Sequence, residues 1–191
     1  MLAVMPVQRQ CDVGLLHFEA DECGSMNAWL ERAPRAVPLA GRIAAMVSVN
    51  DMADRAAKAI ADGELLPLGR DRLRWVDTPQ VPHGWDAGML FDEATGTLFS
   101  VDLFTQPGPG TPALTGDDIV GPSEAFRQPV DCFSHAPHTQ ATLARLAELQ
   151  PRTLACMYGS AWQGNGSVLL LLADALRAKV PKRSPAAAAS V

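Results

Sequence analysis

Between residues 64 and 101 the sequence alternates between short apolar runs and turn-forming residues, and no other feature restricts the fold as much. The runs are Glu64–Leu68, Leu73–Asp77, Ala87–Phe91 and Thr97–Val101. They are separated by Leu68-Gly69-Arg70-Asp71, by Pro79 to Trp85 and by Glu93-Ala94-Thr95-Gly96. Each run is too short for a stable helix and is bounded by residues that favour turns, so the block reads as consecutive strands. The last separator has the form of a tight hairpin turn. Further strands are expected at Cys11–Leu16, Ala36–Leu39 and Thr153–Met157.

Helical patterns surround this block. Gly24, Ser25 and Asn27 open a helix expected to carry Trp29 and Leu30 on one side and to stop near Pro34. Gly41–Val49 and residues 51–61, ended by Asp62-Gly63, read as two more; Ser123–Arg127, Thr139–Leu149 and Ser167–Lys179 follow the strands. Helices flanking consecutive strands make a layered α/β domain. The length of 191 residues suits one domain, placed at 1–180, followed by a low-complexity tail, 181–191, expected to be disordered. The Pro- and Gly-rich segment 107–116 reads as an ordered loop or lid.

Composition narrows the functional classes. With 48% hydrophobic and 19% charged residues the chain reads as a soluble globular protein, and its net charge of −5 argues against nucleic acid and anionic membranes as partners. No apolar run approaches the ~20 residues that span a bilayer, and the first residues lack the form of a signal peptide, so the cytoplasm is the expected location. The four cysteines, Cys11, Cys23, Cys132 and Cys156, include no CxxC pair. A disulfide framework and a zinc–thiolate site are both disfavoured, and each cysteine is expected to be a small buried hydrophobe.

The chemistry-bearing residues fall in three places. His17, Glu19 and Asp21 stand at alternate positions directly after a strand, so an extended backbone would put all three on one side, while a loop curling around a cation would let Glu19 and Asp21 serve two neighbouring metals. His83 sits in Pro82-His83-Gly84-Trp85-Asp86, a stiff connection between strands, and Asp102 follows the apolar run Leu98-Phe99-Ser100-Val101. Imidazole with carboxylates suits iron, manganese or zinc. Taken singly, the trio is also what a solvated acidic loop looks like. His83 alone reads as a turn histidine, and Asp102 alone as a salt-bridged or capping carboxylate.

In this order the three motifs, with Glu22-Cys23-Gly24 completing the first and Leu103-Phe104 the third, resemble the metallo-β-lactamase superfamily. The similarity is to its oxygen-binding di-iron branch, the group related to the catalytic domain of flavodiiron proteins, where His-x-Glu-x-Asp replaces the hydrolases' His-x-His-x-Asp-His. The resemblance implies an αββα sandwich with two metal ions. His17, Glu19 and His83 would hold the first ion, Asp21 the second, and Asp102 would bridge both. Glu22 stands where many hydrolases have a histidine, and the more anionic set favours iron over zinc.

The sequence departs from the pattern twice. The family's last ligand is a histidine in Met-His-Gly, whereas this chain has Met157-Tyr158-Gly159, which puts Tyr158 and Glu22 in the shell of a weakened second metal. His135 and His138 are expected to have surface or capping roles instead. The first motif also comes at residue 17, ahead of which the family has several strands, so an N-terminal truncation and an open apolar edge beside His17 are expected.

Two chemistries follow from the resemblance: hydrolysis of a small-molecule ester, thioester or lactone by a metal-bridging hydroxide, or reduction of dioxygen or nitric oxide. The second needs a separate electron donor, since no flavin is expected on this chain. The alternative is a non-catalytic relic or binding scaffold that has lost the second metal. A homo-oligomer is compatible with each.

Overall fold

The computed structural model describes residues 6–108 and 111–178. Two sheets lie between two helical layers. The smaller sheet is parallel, in the order β1 (Asp12–Leu15), β2 (Val37–Gly41), β3 (Lys58–Ile60). On one face of it pack α1 (Ala20–Cys23), α2 (Met26–Arg32) and a helical stretch made of α3 (Arg42–Ala44), a π-helical turn (Ala45–Val49) and α4 (Asn50–Met52). Leu15, Met26, Leu30, Ala40, Ala44 and Val49 form that outer core.

The larger sheet takes the strand block: β4 (Leu65–Leu68), β5 (Asp71–Asp77), β6 (Gly88–Asp92) and β7 (Thr97–Val101) pair antiparallel in sequence order. It continues with β9 (Thr153–Cys156), parallel to β7, then β10 (Ala161–Gln163) and β8 (Leu114–Thr115). Helices α5 (Val120–Val130), α6 (Thr139–Glu148) and α7 (Ser167–Ala178) belong to this side. Met89, Leu98, Leu143, Leu146, Leu154 and Leu169 meet in its core. Leu39, Ile60, Leu66 and Trp75 fill the space between the sheets. Alternation along the strands explains the split: Trp75 faces the inter-sheet core and Val76 the helical one. A side chain at Gly88 would put its Cβ 2.1 Å from the Trp75 ring, so the indole's position requires a glycine there.

The layers are the expected αββα sandwich, and the local expectations hold in most places. Thr97–Val101 is a strand as read, and the other three runs of the block shift by only a few residues. Residues 51–61 are not a helix. The helical stretch stops at Met52, where Asn27 donates to the Met52 carbonyl and accepts the Asp54 N–H. Arg55 donates to the carbonyls of Leu30, Ala33 and Ala36, and Lys58–Ile60 then pairs with β2. A free sheet edge and three carbonyls at a helix end outweigh the helical propensity of an alanine-rich segment. Trp29 is 45% exposed while Leu30 is fully buried, because successive helical residues point about 100° apart.

Helix α5 runs well past the expected Ser123–Arg127. Pro122 lies in its first turn, where no N–H is required, and Asp118 accepts the N–H groups of Val120 and Gly121. Cys23 is buried and Cys132 and Cys156 partly so, but Cys11 is exposed, against expectation; all four are free thiols. Among the described strands β1 pairs with β2 alone, and its other side borders a groove of about 370 Å³ lined by Leu15, Leu16, Phe99, Val101, Ala155 and Met157. No helix among the described residues is long and apolar enough to cross a membrane. The tail 181–191 and part of the segment 107–116 lie outside the described residues.

Candidate metal centre

The chain turns sharply after β1. His17 is 3% exposed, Glu19 keeps an extended backbone at φ −129° and ψ 159°, and α1 starts at the next residue. The expected alternation therefore covers His17 and Glu19 but ends before Asp21, which lies on the helix. The Phe18 N–H donates to Asp86 at 3.1 Å, which ties this turn to the loop that carries His83.

Four side chains converge from three parts of the chain. His17 Nε2 lies 3.2 Å from Asp102 Oδ2 and 3.6 Å from Glu19 Oε2. His83 Nε2 lies 3.1 Å from Glu19 Oε1 and 3.2 Å from the same Asp102 oxygen. One ligand atom from each of the four residues lies within 4.8 Å of the others. The structure thus brings together four of the residues singled out from the sequence: His17, Glu19, His83 and Asp102.

The far edges of both imidazoles are engaged. His17 Nδ1 is 3.1 Å from Glu22 Oε2, and His83 Nδ1 is 3.0 Å from the Cys132 carbonyl. An Nδ1–H donated to each acceptor leaves the Nε2 lone pair aimed into the cluster, the arrangement that orients metal-binding histidines. Both Nε2 atoms and Asp102 Oδ1 are buried without a hydrogen-bond partner. Lone pairs of nitrogen and oxygen about 3 Å apart repel unless a cation or a proton stands between them.

A proton on each ring can take that role. Burial opposes charge on His17, but its contacts with Asp102 and Glu22 outweigh it and push its pKa up to about 10. The Asp102 contact raises His83 as well, against burial, with help from Glu19. Burial acts to raise Asp102, yet the two histidines hold it well below the usual carboxylate range. The residues fit a bound cation: two imidazoles and two carboxylates suit a transition metal.

The backbone around Asp102 is strained. Val101 and Phe104 have φ of 51° and 66°, and the β7–β9 register shifts between Phe99 and Val101. Such residues cost on the order of 1–3 kcal/mol each and persist where the surrounding structure holds them. Here the Met157 N–H donates to the Val101 carbonyl, and the Thr105 hydroxyl donates to that of Asp102. The His83 loop is clamped in turn: Ser134 N–H donates to the Pro82 carbonyl, and His138 Nε2 lies 2.7 Å from that of Pro79. Gly84, at φ 78°, makes the turn that follows. His135 pairs with Asp131 at 2.7 Å, so neither His135 nor His138 joins the cluster.

Asp21 and Tyr158 stand apart from the four. The Tyr158 hydroxyl donates to Asp21 Oδ2, and this bond, followed by burial and nearby carboxylates, pushes the phenol up to about 12. Both residues line a cavity of about 360 Å³ with Glu19, His83, Asp102 and Phe126. Reading the sequence missed the Cys132 carbonyl, which carries no side-chain signal. It also missed the buried Glu124–Arg127 pair behind it, with bonds of 2.7 and 2.8 Å and the guanidinium 5.4 Å from the Phe133 ring centre.

No family model and no curated protein matches the sequence. Solved structures do match. The rubredoxin oxygen:oxidoreductase of Desulfovibrio gigas superposes with a TM-score of 0.74 at 17% identity, over 91% of this chain and 44% of that one. A metal-soaked flavodiiron core from Synechocystis gives 0.75 at 21%, over 92% and 45%. The chemotaxis sensor ODP in a peroxy diiron state gives 0.71 at 14%, over 89% and 71%. The chain spans less than half the length of the first two. Its fold is the metallo-β-lactamase-like αββα sandwich of flavodiiron cores.

Proposed function

We propose that this chain binds iron through His17, Glu19, His83 and Asp102 and uses it to bind dioxygen or nitric oxide, with electrons supplied by a separate protein. The observation that carries the reading is the pair of buried Nε2 atoms that converge on one Asp102 oxygen with Glu19 beside them. A donor set with as many carboxylates as imidazoles favours iron over zinc. The structural neighbours named for oxygen chemistry support the same direction. A reducing compartment such as the cytoplasm fits four free thiols.

Iron bound here would supply one-electron and oxygen chemistry. The protein's part is orientation and shielding. Glu22 and the Cys132 carbonyl fix the two rings, while Phe126 and Pro107 help wall the cavity in which a diatomic ligand would sit. Anaerobic loading with ferrous iron followed by titration with nitric oxide tests the reading. The expected result is retained iron and a new visible absorption that saturates with added gas. A chain that retains no iron is the metal-free scaffold instead, and a zinc-loaded chain that cleaves thioesters is the hydrolase.

Glu22→Gln removes the charge behind His17 while keeping the shape of the side chain. Iron affinity is expected to fall about 10–100-fold, as for other losses of a carboxylate behind a metal-bound histidine. A competition titration with a chelator measures it, and unchanged affinity would show that Glu22 does not orient the ring.

A further inference from the structure

We infer that the site takes one metal ion rather than two, because Asp21 and Tyr158 hold each other in place of a second ion. The inference rests on the reading that the four-residue cluster binds iron, and it concerns how many ions that cluster can recruit. The neighbouring proteins described as diiron set the contrast.

The supply of ligands decides it. The chain has four histidines. His17 and His83 are in the cluster, His135 is bonded to Asp131, and His138 to the Pro79 carbonyl on the outside of the loop. A second ion would therefore have no imidazole. Glu22 sets its Oε2 against the Nδ1 edge of His17; its buried Oε1 has no hydrogen-bond partner, but Glu22 is not among the residues whose ligand atoms converge. That leaves the buried Asp102 Oδ1, which has no hydrogen-bond partner, and Asp21. Asp21 is not among the four converging residues, and its carboxylate accepts the Tyr158 hydroxyl. A protonated phenol donates and offers only a weak neutral oxygen to a cation. Two carboxylate side chains, one of them already engaged by Tyr158, fall short of the three or more protein ligands that hold a transition metal in a catalytic site. Among the described residues no other group of three or more histidine, cysteine or carboxylate side chains gathers.

Tyr158 is anchored where it stands. Its carbonyl accepts the Gln106 N–H at 3.0 Å, and Gly159, at φ 99°, packs so closely on Gln106 that a Cβ there would lie 2.6 Å away. The phenol is thereby presented to Asp21 by a turn with little room to shift.

The experiment is iron stoichiometry, read by elemental analysis on the whole chain after anaerobic ferrous loading and desalting. An EPR spectrum after oxidation is the second readout. One iron per chain is expected, with the ferric signal of an isolated ion, which coupling between two ferric ions would quench. Tyr158→His is expected to raise the content towards two and to quench that signal. Two irons in the unaltered chain would overturn the inference and leave the iron reading standing. No iron would overturn both, and a Tyr158→His variant that stays at one would overturn the role given to Tyr158.

Discussion

His17→Ala and Asp102→Ala are each expected to leave the protein without bound metal after dialysis, while the circular dichroism spectrum of the fold is retained. Asp102 touches both imidazoles through one oxygen, at 3.2 Å from each Nε2, so its loss removes the anion around which the other donors are arranged. His17 is the most enclosed of the four, and its ring spans from the cluster to Glu22. Without it, the Glu22 and Asp102 side chains, 7% and 11% exposed, lose the imidazole that stands between them, which disfavours the arrangement further. The loss in affinity is expected to exceed the ~10–100-fold typical of a residue that only orients a ligand. Elemental analysis of the two variants beside the parent protein measures it. Metal retained at the parent stoichiometry in either variant would place the ion elsewhere.

Glu124→Ala is expected to cost about 3–5 kcal/mol of folding stability, the range for stranding one partner of a buried ion pair. Arg127 and Glu124 are 4% and 7% exposed and share two hydrogen bonds, and the carboxylate holds the guanidinium above its ordinary pKa. Removing Glu124 takes away both hydrogen bonds of a buried guanidinium and leaves it only the longer contact with Asp131, at 4.0 Å, and the Phe133 ring. The double variant Glu124→Leu with Arg127→Met is expected to recover most of the loss, because a similar apolar volume needs no partner. Urea unfolding of the three proteins measures both effects, and a loss under about 1 kcal/mol in the single variant, as for an exposed pair, would contradict the buried-pair argument. The same helix end leads into Cys132, whose carbonyl holds His83. Glu124→Ala is therefore expected to weaken metal binding as well, whereas a core substitution remote from this segment would lower stability alone.

The sequence was most legible where structure is local. The block from residue 64 to 101 announced its strands through run length and turn residues, and Thr97–Val101 has the extent it was given. The four clustered residues were singled out because three motifs in this order resemble those of a known family; taken alone, His83 read as a turn histidine and Asp102 as a capping or salt-bridged carboxylate. Where reading failed, long-range partners had intervened. Residues 51–61 carry helical propensity, but Arg55 and the edge of β2 pull them into a strand. Strands β8 and β10 have two and three residues, too few to leave a pattern; β10 is a strand because it pairs with β9, and β8 because it pairs with β10. Trp29 is exposed although apolar character suggested otherwise, since only one face of α2 packs on the small sheet, and Cys11 is exposed just ahead of β1.

By itself the sequence determined the layered α/β class, through periodicities of a few residues. The four side chains able to meet at a metal, and the oddity of a tyrosine at position 158, stood out only through the resemblance to a known family. Only the tertiary structure decided that Asp21, which the resemblance gives to a second ion, lies on a helical turn starting one residue after Glu19 and accepts the Tyr158 hydroxyl. Only the packing of the two sheets brings residues 17, 83 and 102 to one point and closes the bond between Asp21 and Tyr158, 137 positions apart. Distances of that kind are set by how the layers pack and by strain at Val101 and Phe104, and no local pattern encodes them.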